Sequence, residues 1–276
     1  MEFESAFIIL FCVATAVAIA VRRYQAPYTV ALVLTGLGIG ALGILQAPHL
    51  TRALLFAVFL PGLLFEAAFQ LDAARVRENV RTILALAVPG VVAAIGLTAL
   101  LTTLVVQSLH VDPTFTLTYG LIFGALVAAT DPIAVVALFR SLRVPRRLSV
   151  LVEGESLLND GTAIVLFALI LSVAGGQSST VTALALDFFK VTLGGALIGL
   201  VIGAAASQVT MRVNDPAIEI TLTVIAAYGS FVVAEQLGLS GVIATVAAGM
   251  VYGNYGRRFG MSPTTRVSVE SFWAYI

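Results

Sequence analysis

Charged residues are scarce in this sequence. They make up 11% of its 276 residues, whereas apolar residues make up 59%. A soluble domain usually carries about 25% charged residues, because its surface must be solvated. The chain has too few charges to cover a water-facing surface, so we expect a lipid bilayer to be its main solvent. The formal net charge is zero, and no nucleic-acid partner is expected.

Cysteine and histidine are almost absent. The one cysteine, Cys12, cannot form an internal disulfide, and the two histidines, His49 and His110, fall in short connections. A structural zinc site or a bis-histidine haem inside the membrane is therefore not expected. We predict that the protein has no cofactor.

Long apolar runs fill most of the chain. Runs of about 18 or more residues can cross about 30 Å of hydrocarbon as α-helices. We predict an all-α polytopic membrane protein with a single transmembrane domain over residues 1–276, about nine spans, and a tenth span that begins near Ser268. The predicted spans are residues 5–21, 28–45, 53–69, 82–107, 116–139, 149–174, 184–210, 217–236 and 239–255. Glycines at residues 36–40 and 194–203 predict close packing between helices.

The basic residues predict the orientation of the helices. Of the 15 basic residues, 13 follow odd-numbered spans, and only Arg52 and Lys190 lie on the other side. Positive charge is concentrated in cytoplasmic loops, so we expect a multi-pass cell-membrane protein with its N-terminus outside. Glu2 and Glu4 precede the first span, which favours a retained helix over a cleaved signal peptide.

An aspartate, Asp131, precedes Pro132 inside the fifth predicted span. Proline removes a backbone donor and crowds the preceding turn, so the helix should break here. Freed backbone groups at mid-membrane are tolerated only where protein buries them or where they line a wet cavity. The alternative is an ordinary proline kink in which the aspartate caps the freed amides.

More acids follow in the next span. Ser156 and Asp160 share one helix face there, as do Glu155 and Asn159. At about 1.5 Å per residue, Asp131 lies roughly 12 Å and Asp160 roughly 16 Å from the cytoplasmic end. The short connection makes the two helices antiparallel neighbours. We therefore expect both carboxylates near the midplane at similar depth.

The chemistry of such a site is a competition between a proton and a cation. Desolvation and a neighbouring carboxylate both favour the protonated form of an acid. Oxygen ligands from Asp160, Asp131, Ser156, Asn159 and the carbonyls around Thr130 suit a small dehydrated cation. A bound proton would exclude the cation, and a bound cation would exclude the proton. Alternating exposure of this site to the two sides of the membrane would then give exchange.

Other acids lie nearer the ends of their spans. Glu66 follows a second proline-interrupted helix at Pro61. It either lines the ion path or pairs with a basic loop residue. Asp215, Glu219 and Glu235 are expected to be ordinary interfacial charges.

Four stretches carry a family resemblance. They are Ala129-Thr130-Asp131-Pro132-Ile133-Ala134-Val135, Glu153-Gly154-Glu155-Ser156-Leu157-Leu158-Asn159-Asp160-Gly161, Leu60-Pro61-Gly62-Leu63-Leu64-Phe65-Glu66 and Gly238-Leu239-Ser240-Gly241-Val242-Ile243-Ala244. The sequence resembles the cation:proton antiporter superfamily, in its NhaP-type and sodium/proton exchanger branch (the monovalent cation:proton antiporter-1 family).

This resemblance implies a role for each motif residue. Asp160 would be the principal Na⁺ ligand and proton carrier, and Asp131, Thr130 and Ser156 would complete the Na⁺ site. Asn159 would support the crossing of the unwound helices. Pro132, Glu155 and Glu66 are supporting residues.

The resemblance also implies an architecture and an activity. We expect an inverted-repeat helix bundle with discontinuous helices, homodimeric, that exchanges Na⁺ (or Li⁺ or K⁺) for H⁺ without net charge movement. Family members continue for several more helices, so the second repeat is expected to be incomplete and the chain truncated at its C-terminus. Glu155 would then lack the arginine that pairs with its counterpart.

Other functions for two membrane acids were weighed. An intramembrane aspartyl protease would need a Gly-x-Gly-Asp signature, which this sequence lacks. Gly238-Leu239-Ser240-Gly241 matches a rhomboid-type serine protease, but no histidine follows His110 to act as its base. A cation channel and a non-transporting membrane subunit remain alternatives to the antiporter. None of the favoured readings is an enzyme.

Overall fold

The computed structural model of this chain is predominantly helical, and the residues that it describes contain no strand. They are residues 3–24, 28–43, 51, 54–130, 132, 135–136, 138–139, 142, 144–176 and 180–275. The chain divides into two compact units, Met1–Leu55 and Phe56–Ile276. The all-α prediction is confirmed.

The first unit is a pair of helices, α1 (Phe3–Tyr24) and α2 (Tyr28–Ala41), which contact one another. Their apolar side chains remain exposed, among them Phe11 and Leu37. A Cβ atom added at Gly36, Gly38 or Gly40 would meet no atom within 4 Å. The close packing predicted for these three glycines is therefore not found in the described residues.

The second unit contains the remaining helices. They are α3 (Leu60–Gln70), α4 (Ala73–Ala85), α5 (Val91–Ser108), α6 (Leu117–Val127), α7 (Arg146–Ala174), α8 (Val181–Thr210), α9 (Pro216–Gln236), α10 (Gly241–Val251) and α11 (Pro263–Tyr275). Among the described residues, four helices are long and apolar enough to cross a membrane: Ala73–Ser108, α7, α8 and α9. Shorter apolar helices accompany them. A polytopic membrane fold accounts for this composition.

Three stretches of π-helix interrupt or extend these helices. Leu86–Gly90 joins α4 to α5 and contains Pro89. Proline cannot donate to the helical ladder and crowds the turn before it, and a wider turn is one way to keep the helix continuous. Leu55–Phe59 leads into α3, and Tyr252–Gly260 extends α10.

Helix α8 approaches α10 along a row of three glycines, Gly195, Gly199 and Gly203. A Cβ atom at Gly199 would overlap the carbonyl oxygen of Ala244, and one at Gly203 would lie 2.9 Å from the Ala248 Cα. The backbones touch because no side chain separates them. The close packing predicted for this part of the sequence is confirmed.

Three buried apolar clusters hold the second unit together. The largest surrounds Phe65, Tyr252 and Trp273, which come from α3, the π-helical stretch after α10, and α11. A second joins α3, α7, α9 and α10, and a third joins α5, α6 and α7. Helix α7 therefore belongs to two clusters and is fixed from both sides.

Basic residues of this unit gather at one end. Arg147 Nε donates to Asn79 Oδ1 at 2.9 Å, which places the starts of α4 and α7 together. Asn254 Oδ1 accepts from the Ala73 amide at 2.9 Å, which brings the π-helical stretch after α10 to the start of α4. These contacts join elements that are far apart in the sequence.

The end of α8 lies at the same place, because the Thr210 hydroxyl is hydrogen-bonded to the Tyr252 hydroxyl. We call this the arginine-rich end. Its arginines are Arg75, Arg77, Arg146, Arg147, Arg212, Arg257 and Arg258. The connection between α5 and α6 carries no arginine. Its Asp112 accepts from the Thr114 hydroxyl and amide, which hold the pKa of this carboxyl below its ordinary value.

Candidate cation-binding site

The predicted break before Pro132 is present. Helix α6 ends at Val127, and residues 128–130 have no regular structure. A helical hydrogen bond resumes afterwards, from the Val136 amide to the Pro132 carbonyl at 2.8 Å. The Ala128 carbonyl has no helical donor four residues later, because Pro132 lacks a backbone N–H. Asp131 lies outside the described residues.

Two side chains of α7 hold this unwound stretch. The Ser156 hydroxyl donates to the Thr130 carbonyl at 2.6 Å. Asn159 Nδ2 donates to the Ala128 carbonyl and to Thr130 Oγ1, each at 3.1 Å. A released carbonyl without a partner is costly away from water, so these bonds stabilise the break.

The oxygen atoms here fit a small hard cation. Ser156 uses its only proton on Thr130, which leaves its lone pairs available. Asn159 is 3% exposed, and its Oδ1 atom is buried with no hydrogen-bond partner among the described residues. A buried oxygen without a hydrogen-bond partner suggests that a bound ligand supplies the missing interaction. Carbonyl, amide and hydroxyl oxygens are suitable ligands for such a cation.

The site is closed on one side and open on the other. Ser156 and Asn159 are buried, Asp160 is half-buried, and Thr130 is exposed. Asp160 lies one helical turn after Ser156, so both side chains project from the same face of α7. A partly accessible acid therefore stands beside buried neutral oxygens.

Two glycines allow neighbouring helices to approach this part of α7. A Cβ atom at Gly154 would lie 3.1 Å from Ile83 of α4, and one at Gly161 would overlap Ile243 of α10. Sequence reasoning missed this role, although both glycines belong to the motif that contains Asp160. The available signal in the sequence was that one glycine lies on each side of Ser156 and Asn159, which indicates close helix packing around these polar residues.

The family of the chain follows from comparison with known proteins. The family model described as sodium/hydrogen exchanger, transmembrane, matches residues 7–276. The chain belongs to the sodium/hydrogen exchanger family. This confirms the family resemblance seen in the four sequence motifs.

Several exchanger relatives are similar over nearly the whole chain. The Na⁺/H⁺ antiporter ApNhaP of Aphanothece halophytica is 42% identical, covering 91% of this chain and 47% of its own length. NhaG of Bacillus atrophaeus is 37% identical, covering 98% and 52%. NhaH of Halobacillus dabanensis is 34% identical, covering 96% and 68%. The chain spans about half the length of the first two of these relatives.

Of the supporting residues of this exchanger chain, Glu66 lies apart from the Ser156–Thr130 contact. Glu66 is half-buried on α3 and accepts a hydrogen bond from Gln70. It lines a cavity of about 180 Å³ with Trp273 of α11, and none of the α7 site residues lines that cavity. Glu155 is half-buried, and no arginine or lysine of the described residues forms an ion pair with it.

Proposed function

We propose that this chain is part of a secondary transporter that exchanges Na⁺ for H⁺ across the cell membrane by alternating access. The observation that carries the proposal is the unwound stretch 128–130, fixed by Ser156 and Asn159 beside Asp160. Such an arrangement offers oxygen ligands to a cation and a carboxylate that can hold either the cation or a proton. Family membership and the antiporter names of the relatives support the same function.

In this proposal Asp160 binds the proton and Na⁺ in turn. The Thr130 carbonyl and the Ser156 hydroxyl complete the cation site, and Asp131 supplies a second carboxylate. Asn159 maintains the break that exposes these oxygens. Protonation of Asp160 removes the charge that attracts Na⁺, and bound Na⁺ disfavours protonation. Alternating exposure of this one site then couples the two fluxes.

Further properties come with the family resemblance. We propose one-for-one, electroneutral exchange, a homodimeric assembly and no resident cofactor, with Li⁺ or K⁺ as alternative cations. The arginine-rich end is assigned to the cytoplasm by the positive-inside rule, which puts the N-terminus outside.

The experiment is reconstitution into liposomes that contain a pH-sensitive dye. A Na⁺ gradient should drive opposite proton movement, and Asp160→Asn should abolish it, whereas Asp187→Asn on α8 should retain it. Because the chain spans about half of its relatives, the same assay is run with any coding sequence that follows Ile276. If neither the 276-residue chain nor its extended form shows coupled flux, the proposal is contradicted. A Na⁺ current without opposite proton movement would indicate a cation channel.

A further inference from the structure

A buried acid, Glu219, lies near the start of α9, outside the site described above. It is 0% exposed, and neither of its carboxylate oxygens has a hydrogen-bond partner among the described residues. The expectation that Glu219 is an ordinary interfacial charge is therefore wrong, because an interfacial carboxylate reaches water. Its position near a helix end did not reveal that other helices cover it.

The surroundings of Glu219 use their polar groups elsewhere. Tyr252 is within electrostatic reach of Glu219, but its hydroxyl is bonded to Thr210. One turn further along α9, the Thr223 hydroxyl accepts from Trp273 Nε1 at 3.0 Å and donates to a backbone carbonyl. The hydroxyls of Tyr252 and Thr223 therefore have other hydrogen-bond partners.

No basic residue of the described chain forms an ion pair with Glu219. Helix α9 packs against α3, α8, α10 and α11. The π-helical stretch after α10 packs in turn against α8 and α10. Arg266 of α11 donates from Nη2 to the Arg257 carbonyl at 2.8 Å. Its Nε is buried and has no hydrogen-bond partner among the described residues. The other titratable groups on these elements and on α9 are Glu66, Asp187, Lys190, Asp215, Tyr228, Glu235, Tyr255, Arg257, Arg258, Glu270 and Tyr275.

Two electrostatic effects compete at this position. The start of a helix favours a negative charge, because its free amides point toward it. Asp215 already takes that place, since its side chain accepts from the Ala217 and Ile218 amides. Asp215 is also within electrostatic reach of Glu219 and repels a second anion. An isolated buried carboxylate is strongly disfavoured, whereas the protonated acid is neutral.

We propose that Glu219 is a second proton-binding site of this protein, separate from the Asp160 site, protonated in the folded chain at neutral pH and deprotonated as the pH rises. Loss of the proton places an unpaired anion between α8, α9 and the π-helical stretch after α10. This loosens the arginine-rich end. The site therefore makes that end of the bundle responsive to pH.

Infrared spectroscopy in lipid nanodiscs tests the protonation state directly. All variants carry Asp160→Asn, which removes one acid of the cation site, and each further variant is compared with this parent by difference spectroscopy. The carbonyl band of protonated acids at neutral pH should lose intensity in Glu219→Gln and keep its intensity in Glu235→Gln. Glu235 is the matched control because its carboxylate is exposed and accepts from the Gly241 amide. A band of unchanged intensity in Glu219→Gln overturns the proposal.

Thermal unfolding gives a second test. Glutamine resembles the protonated acid, so Glu219→Gln should fold as well as the parent chain and should lose part of its decline in melting temperature between neutral and alkaline pH. Equal declines in the two proteins overturn the proposal. If neither Glu219→Gln nor Glu219→Leu folds, Glu219 acts as an ionised group, paired through a rearranged Arg266, and the proposal is wrong.

The link to transport rests on the proposed exchange function. In an active exchanger, Glu219→Gln should shift the pH profile of Na⁺-driven proton movement, whereas Asp160→Asn abolishes that movement. A missing flux in every variant contradicts the exchange function and leaves the infrared result unaffected. An unchanged pH profile in an active Glu219→Gln protein contradicts the regulatory role.

Discussion

Replacement of Asn159 by alanine tests how α7 holds the unwound stretch. The substitution removes two hydrogen bonds of 3.1 Å, to the Ala128 carbonyl and to Thr130 Oγ1. Thr130 is exposed and can find another partner, whereas Ala128 is half-buried. A buried acceptor left without its donor costs about 1–3 kcal/mol. The Ala128 carbonyl therefore dominates the expected loss.

Two effects offset part of that loss. Asn159 Oδ1 is already buried without a partner, so its removal returns about 1 kcal/mol. Alanine also favours a helix by about 0.5 kcal/mol relative to asparagine. The loss of about 1–3 kcal/mol less these two gains leaves a net destabilisation of at most about 1.5 kcal/mol. For a chain of this size that lowers Tm by up to roughly 6 °C.

Thermal unfolding in detergent or lipid nanodiscs, with and without Na⁺, is the assay. Na⁺ at tenfold its Kd should stabilise the parent chain by about 1.4 kcal/mol. Asn159→Ala should reduce this gain, because the carbonyls that it positions are released. Thr192→Val removes a buried α8 hydroxyl without a partner and should leave stability unchanged or higher. An Asn159→Ala protein with the same Tm and the same Na⁺ response as Thr192→Val would refute the reasoning.

Two further substitutions test the packing that positions the site. Gly199→Ala places a Cβ atom against the Ala244 carbonyl, so the clash, of about 1–3 kcal/mol, should exceed the gain in helix propensity. Gly96→Ala is the control, because a Cβ atom there would meet no atom within 4 Å, and it should stabilise the protein by about 1 kcal/mol. Thermal unfolding compares the two variants. Equal stability of Gly199→Ala and Gly96→Ala would refute the packing argument. Asn254→Ala removes the bond to the Ala73 amide and should cost about 1–3 kcal/mol. Protease cleavage at the start of α4 should then become faster, and an unchanged cleavage rate would contradict the role given to this contact.

The break in the fifth span was predictable from sequence because Pro132 lacks an amide proton. The place where α6 ends was not, since it depends on which carbonyls the α7 side chains can reach. Val127 is the last helical residue, and Ala128 is bonded to Asn159 across 31 positions of sequence. Local rules indicated that the helix must break, and tertiary contacts decided the exact boundary.

The last helix shows a signal that was overlooked. A tenth span was expected from Ser268, but α11 begins at Pro263. The Ser262 hydroxyl accepts from the Thr265 amide at 3.2 Å, and proline at the first helical position is a common start. The sequence Ser-Pro-Thr-Thr therefore contained the helix start. Hydropathy placed it too late because Arg266 interrupts the apolar pattern.

Burial of polar groups was the least predictable feature. Glu219 is four residues beyond Asp215, and both acids precede an apolar run. Asp215 caps the helix, whereas Glu219 is enclosed by elements that come earlier and later in the chain. Nothing local distinguishes these two acids, because their difference arises from long-range packing.

Proton release on Na⁺ binding tests the central claim most directly. Na⁺ is added to the purified chain in weakly buffered solution near neutral pH, and the pH change is recorded against the same addition of choline. If Na⁺ and H⁺ compete for Asp160, Na⁺ should release up to about one proton per chain. Asp160→Asn should release none, and Glu235→Gln should behave like the parent chain. Na⁺ binding without proton release, or equal release from Asp160→Asn, would contradict a shared site.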